Sequence, residues 1–349
     1  MPLTLIQQLQ NIINNTADDE TEILHSLRNL IYETEIQNNT AKNSNAIAGL
    51  LSESLKLLEY DNQFSHLIKT GFTELDKVIG GFSPGELIVL GARPGMGKTQ
   101  MLVNLSLHIS QTNPLLFFTF DLNEFMLTHR FLSALSEISL NKMLHHLLSA
   151  EEKATLNALE KDFSKYKIFI NDRLNSSISA LKAHCAQQIQ QHNIKVVVVD
   201  YLQMISSHRF RNSREAEISL VCRELKNIAK EYNVCVIASS QLSRAVESRG
   251  GSKHPQLSDL RDSGAIEQDA DKVIFIYRPE YYGLTEDENL NNTAGITELI
   301  VAKNRNGKLG SVKLQVNKNF TRFKEFVEYT NDFSFDKSRM KELNEESPL

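Results

Sequence analysis

Apolar residues return at helical spacing through the first sixty-odd positions: Leu5, Leu9, Ile12 and Ile13, then Ile23, Leu24, Leu27, Leu30 and Ile31, then Ile47, Leu51, Leu55 and Leu58. The pattern predicts three short amphipathic helices. Asp19 with Glu22 three residues on fits a capping box opening the second, and the polar run 37–45 reads as a linker. Helices this short cannot bury their stripes alone, so they are expected to dock on the rest of the molecule or on another copy of the chain.

From about Thr70 the pattern changes to short apolar runs separated by helical periods. Strands are predicted at 86–90, 115–120, 166–170, 195–199, 234–238, 272–277, 297–302, 312–316 and 323–327, with helices at 98–110, 123–135, 177–191 and 214–232. The runs LIVL, LLFFTF, VVVV and VCVIA are apolar throughout instead of alternating, as strands covered on both faces must be. The expectation is an α/β fold with a mostly parallel central sheet flanked by helices. The last strands lie close together around an NRNG turn and read as antiparallel. This gives a helical segment at 1–65 with a linker helix at about 46–60, an α/β domain at 66–330, and a charged, frayed tail at 331–349.

Composition adds exclusions. With 41% hydrophobic and 23% charged residues the chain is of ordinary globular make-up, and no window is apolar enough to span a membrane. The N-terminus has no basic stretch before an apolar one, so a cytoplasmic location without membrane attachment is expected. The net charge of -5 gives no general attraction to nucleic acid, so any such binding needs a local basic patch. Cys185, Cys222 and Cys235 are scattered and form neither a disulfide framework nor a zinc motif.

Directly after the first strand stands GARPGMGKTQ. Ala92, Arg93, Pro94, Gly95, Met96, Gly97, Lys98 and Thr99 fit the phosphate-binding P-loop, with alanine in the first glycine slot. Backbone N–H groups from Gly95 to Lys98 and the following helix N-terminus suit a β-phosphate, Lys98 suits the β- and γ-phosphates, and the Thr99 hydroxyl suits Mg²⁺. A chance glycine turn is the bland alternative; strand, GKT and helix in register argue against it. A P-loop also needs a carboxylate for the metal at the end of a buried strand, and VVVVD supplies Asp200. ATP and Mg²⁺ are therefore the expected cofactors.

TGFTELDKVIGGFSPGELIVLGARPGMGKT, VVVVDYLQ, SQLSRAVESR, LSDLRDSGAIEQDAD and AKNRNGKLG occur in the order found in DnaB-type replicative DNA helicases, and the chain resembles that family from about Thr70 to Phe326. The resemblance implies a RecA-like ATPase core that assembles as a homohexamer, with nucleotide between subunits and single-stranded DNA in the central channel. It further implies that Gln241 senses the γ-phosphate, that Arg130 lies near the phosphates, and that Lys303 and Arg305 reach a neighbour's γ-phosphate. Arg261, Asp262 and Gly264 match one DNA-contacting channel loop and Arg214 a second, where His208, Arg209 and Arg211 make a basic cluster with Phe210 among them. A helicase loader or other replication proteins are implied partners.

Two departures from the family pattern stand out. Asp121 occupies the position of the family's catalytic glutamate, one methylene shorter; Glu124, one turn on, reads either as a substitute base or, as its spacing favours, as an exposed helix residue. Fewer than seventy residues precede the core, too few for the family's collar domain, which favours a specialised or mobile-element-borne relative. Two functions stay open on the sequence: an ATP-dependent DNA helicase, or an ATP-binding ring scaffold with weak hydrolysis.

Overall fold

Val196 to Val199 are 0–1% exposed, although they lie on two faces of one strand. That requires cover on both sides, and the computed structural model supplies it. The structure describes residues 47, 51, 67–173, 176–207, 213–249, 253–260, 264–286 and 292–326. Two units divide at Ser65 and His66. The first two predicted N-terminal helices and the 331–349 tail lie outside the described residues; of the 46–60 linker helix only Ile47 and Leu51 are described, both helical and exposed.

The second unit runs α1 (Thr73–Ile79), β1 (Leu87–Ala92), α2 (Lys98–Ile109), β2 (Leu115–Thr119) and α3 (Glu124–Ser136). Two helices, α4 (Leu140–Leu144) and α5 (Ala150–Asp162), lead to β3 (Ile168–Asn171), α6 (Ile178–His192) and β4 (Val196–Asp200). There follow α7 (Arg214–Glu231), β5 (Cys235–Gln241), the short helices α8 (Ala245–Ser248) and α9 (Gly264–Asp269), and β6 (Lys272–Tyr277). β7 (Ile296–Asn304), β8 (Gly310–Val316) and β9 (Phe323–Glu325) close the sheet.

The nine strands form one sheet in the order β3-β2-β4-β5-β1-β6-β7-β8-β9. The first six are parallel and the last three antiparallel. Alternate residues of each central strand feed two cores: Ile88, Leu90, Val196 and Val198 on one side, Leu87, Val89, Val197 and Val199 on the other. Burying each such side chain contributes roughly 1.5–3 kcal/mol. In the outer strand β8, only Val312, Leu314 and Val316 are buried, so one face meets solvent and the pattern alternates.

All nine predicted strands are present, with shifts of a residue or two at most ends. The helices α1, α4, α5, α8 and α9 are additions to the sequence reading. α5 buries no residue, so it carries little periodic signal, although its Ser149–Glu152 capping box is complete. Cys185, Cys222 and Cys235 are free and buried.

Candidate active site

Because the central strands are parallel, their C-terminal ends gather at one edge, and the loops after β1, β2, β4 and β5 meet there. The P-loop crosses from β1 to α2 through Gly95 (φ 79°) and Gly97 (φ 95°), left-handed backbone that a side chain would strain. Pro94 to Thr99 line a cavity of about 440 Å³ together with Asp121, Arg130, Asp200 and Gln241. Ten expected site positions from five places in the sequence thus converge: 94–99, Asp121, Arg130, Asp200 and Gln241.

The Lys98 ammonium donates to the carbonyls of Ala92 (3.1 Å) and Arg93 (3.3 Å). Burial lowers its pKa from the usual 10.5 to about 8, with Asp200 opposing the shift and Arg93 adding to it. A buried cation held by neutral carbonyls is well suited to accept an anion. Thr99 Oγ1 donates to Asp200 Oδ2 at 2.6 Å, and Ser239 Oγ donates to the other carboxylate oxygen at 2.5 Å. Asp200, 3% exposed, is thereby fixed beside the P-loop threonine, and the peptide that follows it is cis. Hydroxyl and carboxylate oxygens side by side are the hard donors that Mg²⁺ prefers.

Asp121 sits on a tight turn after β2, where Thr119 Oγ1 accepts from Leu122 N at 3.1 Å and donates to Leu122 O at 2.9 Å. Asn123 caps α3 by accepting from Met126 N. The Asp121 carboxylate is exposed and faces the cavity. Glu124, one helical turn on, is bound to Arg173 at 2.9 Å and does not line the cavity, which removes it as a substitute base. Arg130 reaches the cavity from α3; its buried Nε has no hydrogen-bond partner among the described residues, and burial lowers its pKa against the pull of Asp200 and Asp121. Gln241 ends β5; its backbone N–H donates to Gln203 Oε1 at 3.2 Å.

Two P-loop positions depart from the expected placement. Ala92 is buried in β1, and Arg93 turns its guanidinium away from the cavity to Glu247 (2.7 Å) and Leu242 O (2.7 Å). A side chain at this position has the sheet interior on one side, so its charge needs a partner there. Lys303 and Arg305 also lie away from this cavity. Lys303 donates to Ala270 O at 2.7 Å and to the last carbonyls of α9, and Arg305 meets Asp271 at 3.3 Å. Arg214 bonds Glu217 and Gln203 O at the start of α7, and Gly264 is the exposed first residue of α9. His208, Arg209, Phe210, Arg211, Arg261 and Asp262 lie outside the described residues.

Sequence reasoning missed Arg278 and Phe320, which stand at the cavity with the guanidinium carbon 4.5 Å from the ring centroid. They approach from the end of β6 and the β8–β9 turn, and nothing local in either stretch marks the meeting. Glu280 lies 3.5 Å from the guanidinium, and the Arg278 Nε has no hydrogen-bond partner among the described residues.

A mostly parallel sheet with a P-loop after one strand and a buried aspartate ending another defines a P-loop ATPase of RecA-like build. A solved ATPase domain, 30% identical in sequence, superposes with a TM-score of 0.74, covering 82% of this chain and 100% of that one. A DnaB-like replicative helicase, described with its interactions with primase, gives 0.72 at 28% identity, covering 92% of this chain and 76% of that one. Residues 68–325 match the DnaB-like helicase C-terminal domain. A probable replicative DNA helicase of Trieres chinensis is 39% identical over 314 residues, 88% of this chain and 68% of the relative. The replicative DNA helicase DnaC of Bacillus subtilis is 36% identical, with the same coverage. The chain belongs to the DnaB-like helicase family, whose work is ATP-dependent action on DNA.

Proposed function

We propose that this chain is a magnesium-dependent ring motor: a homohexamer that hydrolyses ATP between subunits, moves along single-stranded DNA and unwinds duplex. The observation that carries the reading is the split between two groups of residues. Lys98, Thr99, Asp121, Arg130, Asp200 and Gln241 line one cavity, while Lys303 and Arg305 of the same chain lie away from it. Thr99 and Asp200 would hold Mg²⁺, which when bound neutralises phosphate charge. Lys98 leaves the Ala92 and Arg93 carbonyls for the β- and γ-phosphate oxygens. Asp121 orients the attacking water and takes its proton, Arg130 stabilises charge on the transferring phosphoryl group, and Gln241 bonds the γ-phosphate or the water. Lys303 and Arg305 complete a neighbour's site, as cations supplied in trans. The flat face of Arg278 and Phe320 at the cavity suits the nucleotide base. Arg214, Arg261, Asp262 and Gly264 contact the DNA backbone, and a loader or other replication proteins serve as partners.

Mixing two dead variants tests the assignment. Arg305→Ala keeps an intact P-loop and Lys98→Ala keeps an intact pair for its neighbour, so mixed rings contain complete sites and recover part of the parent's ATPase. Co-assembled mixtures as inactive as either parent variant would show that the pair does not act in trans.

A scaffold that binds ATP and hydrolyses little is the second reading. One observation favours it: the Asp121 carboxylate is a methylene short of the family's glutamate. Turnover that single-stranded DNA does not stimulate would support it.

A further inference from the structure

Arg93 is 5% exposed, yet it sits in a loop built to meet phosphate. Its Nε donates to Glu247 Oε1 at 2.7 Å and its Nη1 to Leu242 O at 2.7 Å. Glu247 lies on α8, inside the stretch between β5 and α9. That stretch is closed at its base: Leu242 and Leu260 form a β-bridge, and Ser243 N donates to Asp259 O at 2.8 Å. Arg249, at the end of α8, is paired with Asp259, itself 2% exposed, and Lys253 donates to the Glu247 carbonyl at 2.8 Å. The described residues 243–249 and 253–260 are thus tied together, and beside the backbone link through Leu242 their side-chain link to the P-loop is the pair Arg93 and Glu247.

The other end of the link bears on the nucleotide. The carbonyls that Lys98 holds belong to Ala92 and Arg93, and Ala92 O also accepts from Leu242 N at 3.1 Å. When the ammonium turns to a phosphate, those carbonyls lose a charged donor where the Arg93 side chain grips α8. We propose that Arg93 and Glu247 form a clasp that carries nucleotide occupancy from the P-loop to residues 243–249 and 253–260, making Glu247 a positioning residue for the ligand that these residues meet. That the ligand there is single-stranded DNA rests on the function proposed above, since Arg261 and Asp262 follow directly.

Hydrogen exchange on the full chain, with and without a non-hydrolysable ATP analogue and Mg²⁺, tests the clasp directly. In the parent the analogue slows amide exchange across 243–260 by about tenfold or more. Glu247→Gln keeps an acceptor for the Arg93 Nε but removes the charge, and lowers the effect to about twofold or less; Glu247→Asp restores most of it. Basal ATPase of Glu247→Gln stays within about twofold of the parent, while stimulation by oligothymidylate falls about fivefold or more. Exchange in the parent that ignores the analogue, or protection in Glu247→Gln equal to the parent's, overturns the proposal. Protection transmitted in the parent and lost in the variant, with oligothymidylate stimulating neither, upholds the clasp and removes DNA as its ligand.

Discussion

Asp121 and Lys98 line one cavity, and the proposed chemistry divides between them. If Asp121 takes the proton from water at a slightly stretched distance, Asp121→Glu raises the steady-state ATPase rate. Asp121→Asn, isosteric but unable to accept the proton, lowers it about a hundredfold or more with ATP binding retained. An Asp121→Asn rate equal to the parent's would reduce the residue to part of the turn. Lys98 carries a cost without its anion. Its folded pKa of about 8 lies below the usual 10.5, so between these values the unfolded chain holds more protons and stability rises with pH. Below about pH 8 the full penalty is present. Lys98→Met is therefore expected to abolish hydrolysis yet stabilise the nucleotide-free protein near neutral pH, by roughly 1–3 kcal/mol, with the gain shrinking toward about pH 10. Thermal melts at the two pH values check it; equal gains at both would assign the effect to something other than the buried charge.

The elements divide between those whose signals are local and those whose meaning is tertiary. β1, β4 and β5 are apolar on both faces, and an aspartate ends one and glycines follow another at the same sheet edge, so the strands, the P-loop and the placing of Asp200 beside it were legible in the sequence. α5 was not, because a helix that buries nothing leaves no stripe, and its capping box was the one readable sign. Arg93 fits the P-loop by position, but nothing in GARPG reveals that Glu247, 154 residues on, claims its charge. Arg278 and Phe320 went unread for the same reason. A further pair joins the ends of adjacent elements: Lys272, opening β6, is buried against Glu86 before β1, at 2.5 and 2.6 Å. Their side chains are 3% and 8% exposed. Glu86→Gln leaves the ammonium buried without its counter-charge and is expected to destabilise the fold by about 3–5 kcal/mol, measurable by urea unfolding. A loss below about 1 kcal/mol would mean that water reaches the lysine.

At the scale of the whole molecule, the net charge of -5 means that any grip on DNA is local, and Arg214 and Arg261 are its expected cations. Arg214→Ala and Arg261→Ala should each weaken binding across all sequences and lower the slope of log affinity against log salt by about one, as a lost phosphate contact does. Unchanged affinity and slope in both would move the strand's path elsewhere. A different property follows from the cysteines. Cys185 and Cys222 belong to the core on one side of the sheet, and Cys235 to the core on the other. Burial pushes Cys185 and Cys222 up to about 12 and Cys235 in the same direction, so in the folded chain all three are shielded and almost wholly protonated. A maleimide added to the protein can therefore label it only as fast as each core opens. The two faces of the sheet carry separate clocks, and a single shared labelling rate would mark the two layers as one cooperative unit.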